Sequence, residues 1–394
     1  MSEPVFLQNF NNESEAIQAF WQAGYSQYYT RIFLEKFHGI HLSPRQLRYR
    51  VKKLKLARTT WSNDDDINNA ILCELSGSGS KCGYRAMWYR LKKKFKLNVS
   101  RDSVAARLRL LDPTGVEARQ RKRFKRGLYR SFGPNLVWHL DGYDKLKPYG
   151  ICISGCIDGY SRKILWMKAS STNNNPAVIA HYYLSCIKQV NGCPLQMRSD
   201  PGTENVTVAA MQIYLRQLGN DPYSGEDSYI FGKSTANQRI EAFWSYLLRA
   251  WTEWWRQHFS NMVAEGIFVN RSNIHKCLVR FCYLEVIQGE LDMIISSWND
   301  HCIRKQAQLE VPCGIPNVLY HCPELSGGVD CLQAIPFNID DLEEHTCLPN
   351  YVGDYEVDVY FHDLMTENRL LPARNPSEAE QLYKTILEHL EHNL

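Results

Sequence analysis

Three acidic side chains stand where acids are scarce. Asp141 closes the run NLVWHLD, Asp200 closes LQMRSD ahead of the turn PGTEN, and Glu241 lies near the start of NQRIEAFW. Aspartate is a poor strand residue. An Asp that ends a strand-like run is therefore either the first residue of a turn or a ligand held at the strand end. Asp141 and Asp200 are 59 residues apart, and Asp200 and Glu241 are 41 apart. Strand-end carboxylates meet when their strands are neighbours, and a helix packed at the same end can add a third. Hard cations such as Mg²⁺ take oxygen ligands and keep several waters. Two such ions about 4 Å apart can clamp the attacking and leaving oxygens of an in-line phosphoryl transfer. The chemistry open to three such acids is metal-assisted cleavage or joining of a phosphodiester.

Neighbouring polar residues invite plainer readings. Asp158, in CIDGYSR, sits between two strand-like runs and suits an Asx turn. Glu204 is expected to cap the helix that follows Asp200, and Asp144 to be a surface charge. His139 alternates with apolar strand residues and reads as a packed neighbour rather than a base. Asn237 precedes Glu241 by four residues, which places both on one side of a helix; it either touches substrate or stiffens the loop. Trp244, Trp251 and Trp255 share a helical face, which reads as core or subunit contact.

The elements that must position the triad follow from periodicity. NLVWHLD, GICISGCIDGY, KILWMKAS and LQMRSD read as strands, whereas PAVIAHYYLSCIKQV, TENVTVAAMQIYLRQL and NQRIEAFWSYLLRAWTEWW read as helices. Strands alternating with helices predict an α/β layer. Residues 221–238 hold glycines and serines around a short aromatic core, the pattern of a mobile connection. Upstream, residues 14–60 read as helices broken at Gly24 and Gly39. Ser43 and Pro44 open a basic helix, with Leu47, Val51 and Leu54 on one face, in the pattern helix, short turn, basic helix. A second helical unit follows Asp64-Asp65-Asp66 and again ends in basic helices, with Ser100 as a candidate N-cap. RQRKRFKR, residues 119–126, is a phosphate-contacting linker, a nuclear-import signal, or both. Near the C-terminus, YEVDVYFH reads as a possible strand and PSEAEQLYKTILEHLEHNL as an amphipathic helix.

Charge divides the 394 residues unevenly. Residues 1–130 carry 26 Lys and Arg against 11 Asp and Glu, a net of +15; residues 131–320 are nearly balanced at +1; residues 321–394 reach −12. A basic third of this kind suits a polyanion. The DNA-contacting candidates are Arg45, Arg48, Lys52, Lys53, Lys92, Lys93, Arg121, Lys122, Arg123, Lys125 and Arg126, together with Asn237. No apolar run approaches the roughly 20 residues needed to cross a bilayer, so no membrane partner is expected. MSEPVFLQNFNNESE has neither the basic start nor the apolar stretch of a secretory leader. The 13 cysteines, odd in number and without framework spacing, suit reduced thiols and a nuclear or cytosolic setting.

WHLDGYDKL, IDGYSRKILWM, RSDPGTEN and STANQRIEAFW together resemble the motifs of the retroviral-integrase superfamily, which includes retrotransposon integrases and insertion-sequence transposases. WNDHCIRKQAQLEVPCGIPNVLY resembles the tail of the same core, and GYRAMWYRLKKKFKLNVSRDSVAARLRLL the helical segment before it. The resemblance implies a ribonuclease-H-like core over residues 133–320. Ahead of it would lie a helix-turn-helix-like region over 1–60 and a second basic helical region with its linker over 61–132. An acidic region, 321–394, would follow. It implies Asp141, Asp200 and Glu241 as the D-D-E catalytic and metal-binding triad, holding Mg²⁺ or Mn²⁺ as a pair of ions. It also implies double-stranded DNA as substrate, a homo-oligomer and a nuclear location. The implied activity is DNA strand cleavage and joining by a polynucleotidyl transferase. The alternative is a host-adopted, non-catalytic nucleic-acid-binding protein of transposase descent.

The sequence also departs from that family. Retroviral integrases open with a zinc-binding H-H-C-C module; here His38 and His41 are two residues apart, and Cys73 and Cys82 are nine apart. No structural zinc is expected. Ser245 and Leu248 stand where those integrases place DNA-contacting lysines, with Arg249 the nearest basic residue. The acidic C-terminal region replaces a basic barrel. It is expected to bind protein, pack on the core or shield a basic surface.

Overall fold

The computed structural model describes residues 4–56, 62–118, 131–232, 237–304, 312–335 and 339–392. The basic block 119–126, with Arg121, Lys122, Arg123, Lys125 and Arg126, lies outside them. The chain forms two compact units, one of residues 1–72 and 84–111, the other of residues 73–83 and 112–394.

The first unit is helical: α1 (Glu13–Ala23), α2 (Gln27–His38), α3 (Pro44–Lys53), most of α4 (Asp64–Leu75), α5 (Tyr84–Lys93) and α6 (Arg101–Leu111). The breaks fall at the expected glycines. Gly24 and Gly39 take the left-handed conformation that ends α1 and α2. Ser43 and Gln46 form a capping box at the start of α3, with Pro44 in its first turn. Leu47 and Val51 are buried, while Arg45, Arg48, Lys52 and Lys53 face solvent. The aromatic core is built by Phe6, Phe20 and Phe33, with the rings of Phe6 and Phe33 stacked 4.4 Å apart.

The second unit, which also holds the short helices α7 (Pro113–Ala118) and α13 (Pro316–His321), is built on a five-stranded sheet in the order β3-β2-β1-β4-β5, with β1 (Val137–Tyr143), β2 (Cys152–Asp158), β3 (Ile164–Ser170), β4 (Gln196–Ser199) and β5 (Tyr229–Phe231). The first three strands form an antiparallel meander, and β4 and β5 join parallel. This is a mixed α/β, ribonuclease-H-like core behind a helical N-terminal region. One face of the sheet, with Trp138 and Leu140, packs on α8 (Pro176–Val190) and α9 (Val206–Leu215). The other, with Tyr143 and Ile153, packs on α10 (Gln238–Leu247), α11 (Glu253–Ala264) and α12 (Asn273–Asp300). Between α10 and α11 the chain makes a π-helical turn, Leu248–Thr252. The long helix expected here thus carries an extra residue in its turn, a feature that frequently marks functional sites.

Segment 73–83 is stapled to that turn and to α12. Buried Glu290 accepts hydrogen bonds from the Ser78 hydroxyl at 2.6 Å and from the indole N–H groups of Trp251 and Trp255 at 2.6 and 2.9 Å. The Cys82 thiol donates to the Ala250 carbonyl at 3.4 Å.

The acidic C-terminal region packs on the core, one of the three roles expected of it. α14 (Tyr355–Glu367) and α15 (Pro376–His392) bury Phe361, Leu364, Ala379, Leu382, Tyr383 and Ile386 in the same cluster as α12. The strand expected at YEVDVYFH is instead the first half of α14. Asp354 caps it by accepting from the backbone N–H groups of Glu356 and Val357. The buried set Phe361, Leu364 and Met365 follows helical spacing, which outweighs the local alternation of Val357, Val359 and Phe361.

Candidate metal and catalytic site

β1 and β4 bring two of the acids together. They pair in parallel with Val137 opposite Gln196, Trp138 opposite Met197 and His139 opposite Arg198. Continued two residues, that register sets Asp141 beside Asp200, on strands separated by about 4.8 Å and on the same face. Glu241 stands in the first turn of α10, which two hydrogen bonds tie to β1. Before the helix, the Asn237 amide donates to the Leu140 carbonyl at 2.9 Å. One turn on, the Trp244 indole N–H donates to Asp141 Oδ2 at 2.8 Å. Glu241 lies between these anchors, four residues after one and three before the other.

Electrostatics place the three acids in one neighbourhood. Burial, with the charges of Glu241 and Asp200, raises the Asp141 carboxyl to about 7, against the hydrogen bonds from Trp244 and Gly142. Burial raises Asp200 as well, with Glu204 adding to it. Glu241 is raised by burial and by Asp200, with Lys145 opposing. Asp200 Oδ1 is buried without a hydrogen-bond partner. Such an orphaned carboxylate oxygen costs free energy unless a cation or donor meets it. Oxygen donors with raised pKa values and one unmet lone pair suit a hard divalent ion. As they stand, no three His, Cys, Asp or Glu side chains among the described residues make a closed metal-binding group. The acids share a neighbourhood without forming a finished ligand cage.

Trp244 has a role its spacing did not signal. It is buried in the core as its helical face suggested, but its N–H also fixes one oxygen of Asp141. The indole stacks on Tyr143 at 4.8 Å. It fits because residue 155, directly across β2 from Asp141, is glycine. A Cβ built there would lie 2.7 Å from the Trp244 ring. Glycine inside a strand signals close approach of another group, and Gly155 in CISGCID was that signal. Trp251 and Trp255 are core residues whose N–H groups serve Glu290.

Asn237 is buried, with its amide on β1 and its Oδ1 accepting from the Nδ1–H of His139 at 2.7 Å. Of its two readings this geometry fits the stiffening one, and its side chain does not face solvent. His139 is buried, with its pKa lowered to about 3, chiefly by burial, so its ring is neutral. It sits where a packed neighbour was expected.

Asp158 is fully buried and accepts from the Asn135 backbone at 2.7 Å and from the Ser161 backbone and hydroxyl at 2.7 and 2.6 Å. That is a structural turn at the opposite end of β1 from Asp141. Asp144 is an exposed partner of Lys147 at 2.8 Å. Glu204 does not cap α9. A short 3-10 turn, Thr203–Asn205, runs straight into the helix with Asn205 already helical, so no side-chain cap forms there. The Glu204 carboxylate accepts from the Asn205 amide at 3.1 Å instead.

In the helical unit, Lys92 and Lys93 end α5 and lie over the rings of Trp88 and Tyr89 at 5.3 and 5.4 Å. They are half-buried, unlike the four exposed cations of α3.

Residues 128–320 match the family model described as the integrase core domain. The matched span holds all five strands and the three acids. A comparison with curated proteins finds no match.

Proposed function

We infer that this chain, whose residues 128–320 are an integrase core domain, uses that core on DNA as a D-D-E polynucleotidyl transferase. Proteins with this core are typically polynucleotidyl transferases that use divalent metal ions. The observation that supports the reading best is the β1–β4 register. It sets Asp141 beside Asp200 at the ends of two inner strands, with Glu241 on a helix tied to β1.

Asp141, Asp200 and Glu241 would hold Mg²⁺ or Mn²⁺, which when bound neutralises phosphate charge and lowers the pKa of an attacking water or hydroxyl. Trp244 restrains one oxygen of Asp141 and leaves the carboxylate a defined direction. Asn237 locks the approach of α10 to β1 and thereby the height of Glu241. His139 is neutral and donates its Nδ1 proton to Asn237, so it serves position and not proton transfer. The exposed cations of α3, with Lys92 and Lys93, would neutralise backbone phosphates. Mutual repulsion of the acids is relieved by a bound cation or, without one, by the proton that the raised Asp141 carboxyl retains, which argues for a site that completes on binding metal.

The test is cleavage and strand transfer on supercoiled and linear DNA with Mg²⁺ or Mn²⁺, comparing the full chain with Asp200→Asn and Glu241→Gln. Second-sphere substitutions at metal sites cost about 10- to 100-fold, so these ligand substitutions are expected to cost at least about 100-fold. Unchanged activity in Asp200→Asn would remove the triad. Duplex binding without cleavage under any metal would favour the non-catalytic reading.

A further inference from the structure

α3 turns a cationic face to solvent. Its 10 residues bury Leu47 and Val51 and expose Arg45, Arg48, Tyr49, Lys52 and Lys53. Among the described residues none of those four cations forms an ion pair, whereas Arg50, on the flank beside α1, donates to Glu13 at 2.6 Å. Tyr49 stands two residues from each buried side chain, about 200° around the helix either way, so it points most directly away from the core. Arg45 lies one turn before it on the same stripe. We propose that α3 reads base sequence in the major groove of duplex DNA, with Arg45 on a guanine and Tyr49 on the methyl of a neighbouring thymine. The proposal rests on the DNA-acting reading above. It takes Arg45 out of the phosphate-binding set and makes the chain selective among duplexes.

Charge alone would serve phosphate contacts, which carry no sequence information. Tyr49 asks for more. It is 59% exposed at the apex of a cationic face and meets no other ring among the described residues. An apolar ring gains little from a phosphate, whereas in the major groove the thymine methyl offers an apolar contact. An arginine one turn away suits guanine, because O6 and N7 accept both arms of the planar guanidinium. Arg48 and Lys52 on one flank of the stripe, and Lys53 on the other, are placed for the phosphates that border the groove.

Shape agrees with charge. α3 is about 15 Å long at 1.5 Å per residue and about 10–12 Å across with its side chains, and the major groove, about 12 Å wide, admits one helix. Helices that read DNA touch base edges with their N-terminal residues. Here that turn is held rigidly: Ser43 and Gln46 close the capping box, Pro44 fixes the entry, and Leu47 anchors the turn in the core. Arg45 therefore projects from a fixed backbone.

Selection from a random duplex library by the full chain tests this, followed by fluorescence anisotropy on the enriched duplex and on a scrambled one. The enriched sites are expected to share a guanine beside a thymine. Arg45→Ala should weaken binding to the enriched duplex by about 5- to 150-fold, the discrimination of one bidentate pair, and should accept any base at the guanine position. Arg48→Ala removes the same charge from the flank and should weaken both duplexes alike. Tyr49→Ala should accept any base at the thymine position. All three side chains are exposed, so the variants keep the fold. Enrichment of no sequence overturns the inference, as does a preference that Arg45→Ala and Tyr49→Ala both leave intact. Arg45→Ala and Arg48→Ala with the same effect on both duplexes overturn it too, since charge would then be all that α3 supplies. Failure of the unmodified chain to bind any duplex removes the DNA-acting reading itself, whereas tight binding that ignores sequence removes only the base readout.

Discussion

Replacing Gly155 by alanine should reach Asp141 without touching it. The added methyl would stand 2.7 Å from Cη2 and 3.2 Å from Cζ2 of the Trp244 indole. That ring cannot retreat freely, because it is buried and stacked on Tyr143. Overpacking of a dense core costs about 1–3 kcal/mol. If the indole moves enough to break its 2.8 Å hydrogen bond to Asp141, a further loss of about 1.5–3 kcal/mol is expected for a bond to a charged group. Gly155 is not among the residues with positive φ, so the effect is steric and not conformational. Urea unfolding should register about 2.5–6 kcal/mol in total, from the sum of those terms. Mn²⁺ titration should show weaker metal binding, because Asp141 would lose its restraint. Trp244→Phe separates the contributions: it keeps a ring and removes the N–H, so metal affinity should fall with less overpacking. Alanine at 155 with stability within about 0.5 kcal/mol of the parent, the usual range of neutral substitutions, and with unchanged metal affinity would refute the restraint.

Other outcomes follow from the same geometry. In the metal-free protein, the folded Asp141 pKa of about 7 lies above its ordinary 3.8. The stability linked to it is therefore fully present below pH of about 4 and lost as pH rises through about 7. Asp141→Asn should flatten that decline in a series of unfolding curves, and an unchanged slope would dismiss the shift. Glu290→Ala strands the indole N–H groups of Trp251 and Trp255. It should cost at least about 2 kcal/mol, since each buried unmet donor costs about 1–3; a loss below about 1 in chemical denaturation contradicts the buried hub. Binding to blunt duplex should weaken with salt by a slope of about 0.9 per phosphate contact on logarithmic axes. Reversing Arg45, Arg48 and Lys52 together should lower that slope, and a salt-independent affinity would exclude backbone contacts by α3.

Much of the core was legible because its strands alternate or run apolar between turn residues, and because an Asp at a strand end is conspicuous. The register that pairs Asp141 with Asp200 was implicit in their shared position at strand ends. The acidic tail was partly misread because Val357, Val359 and Phe361 alternate like a strand while the burial that decides the matter begins only at Phe361. Hydrogen bonds across the fold were not legible at all. That Trp244 serves Asp141, and that Asn237 spends its amide on β1, depend on partners about a hundred residues away. Gly155 was the one local trace of that packing. The basic block 119–126 and residues 233–236 ahead of α10 lie outside the described residues.

The eleven residues 73–83, inserted between two helices of the N-terminal unit yet part of the core, bear on how this protein could be taken apart. A chain begun at residue 131 would remove Ser78 from Glu290 and Cys82 from Ala250, opening a gap beside the π-helical turn that follows the Glu241 helix. The helical unit expressed alone would in turn carry a segment whose partners were left behind. The chain thus contributes to the second unit before it has completed the first. Exchange of the N-terminal unit between related proteins, by engineering or descent, has to retain this segment with its own core or replace both sides of the seam together.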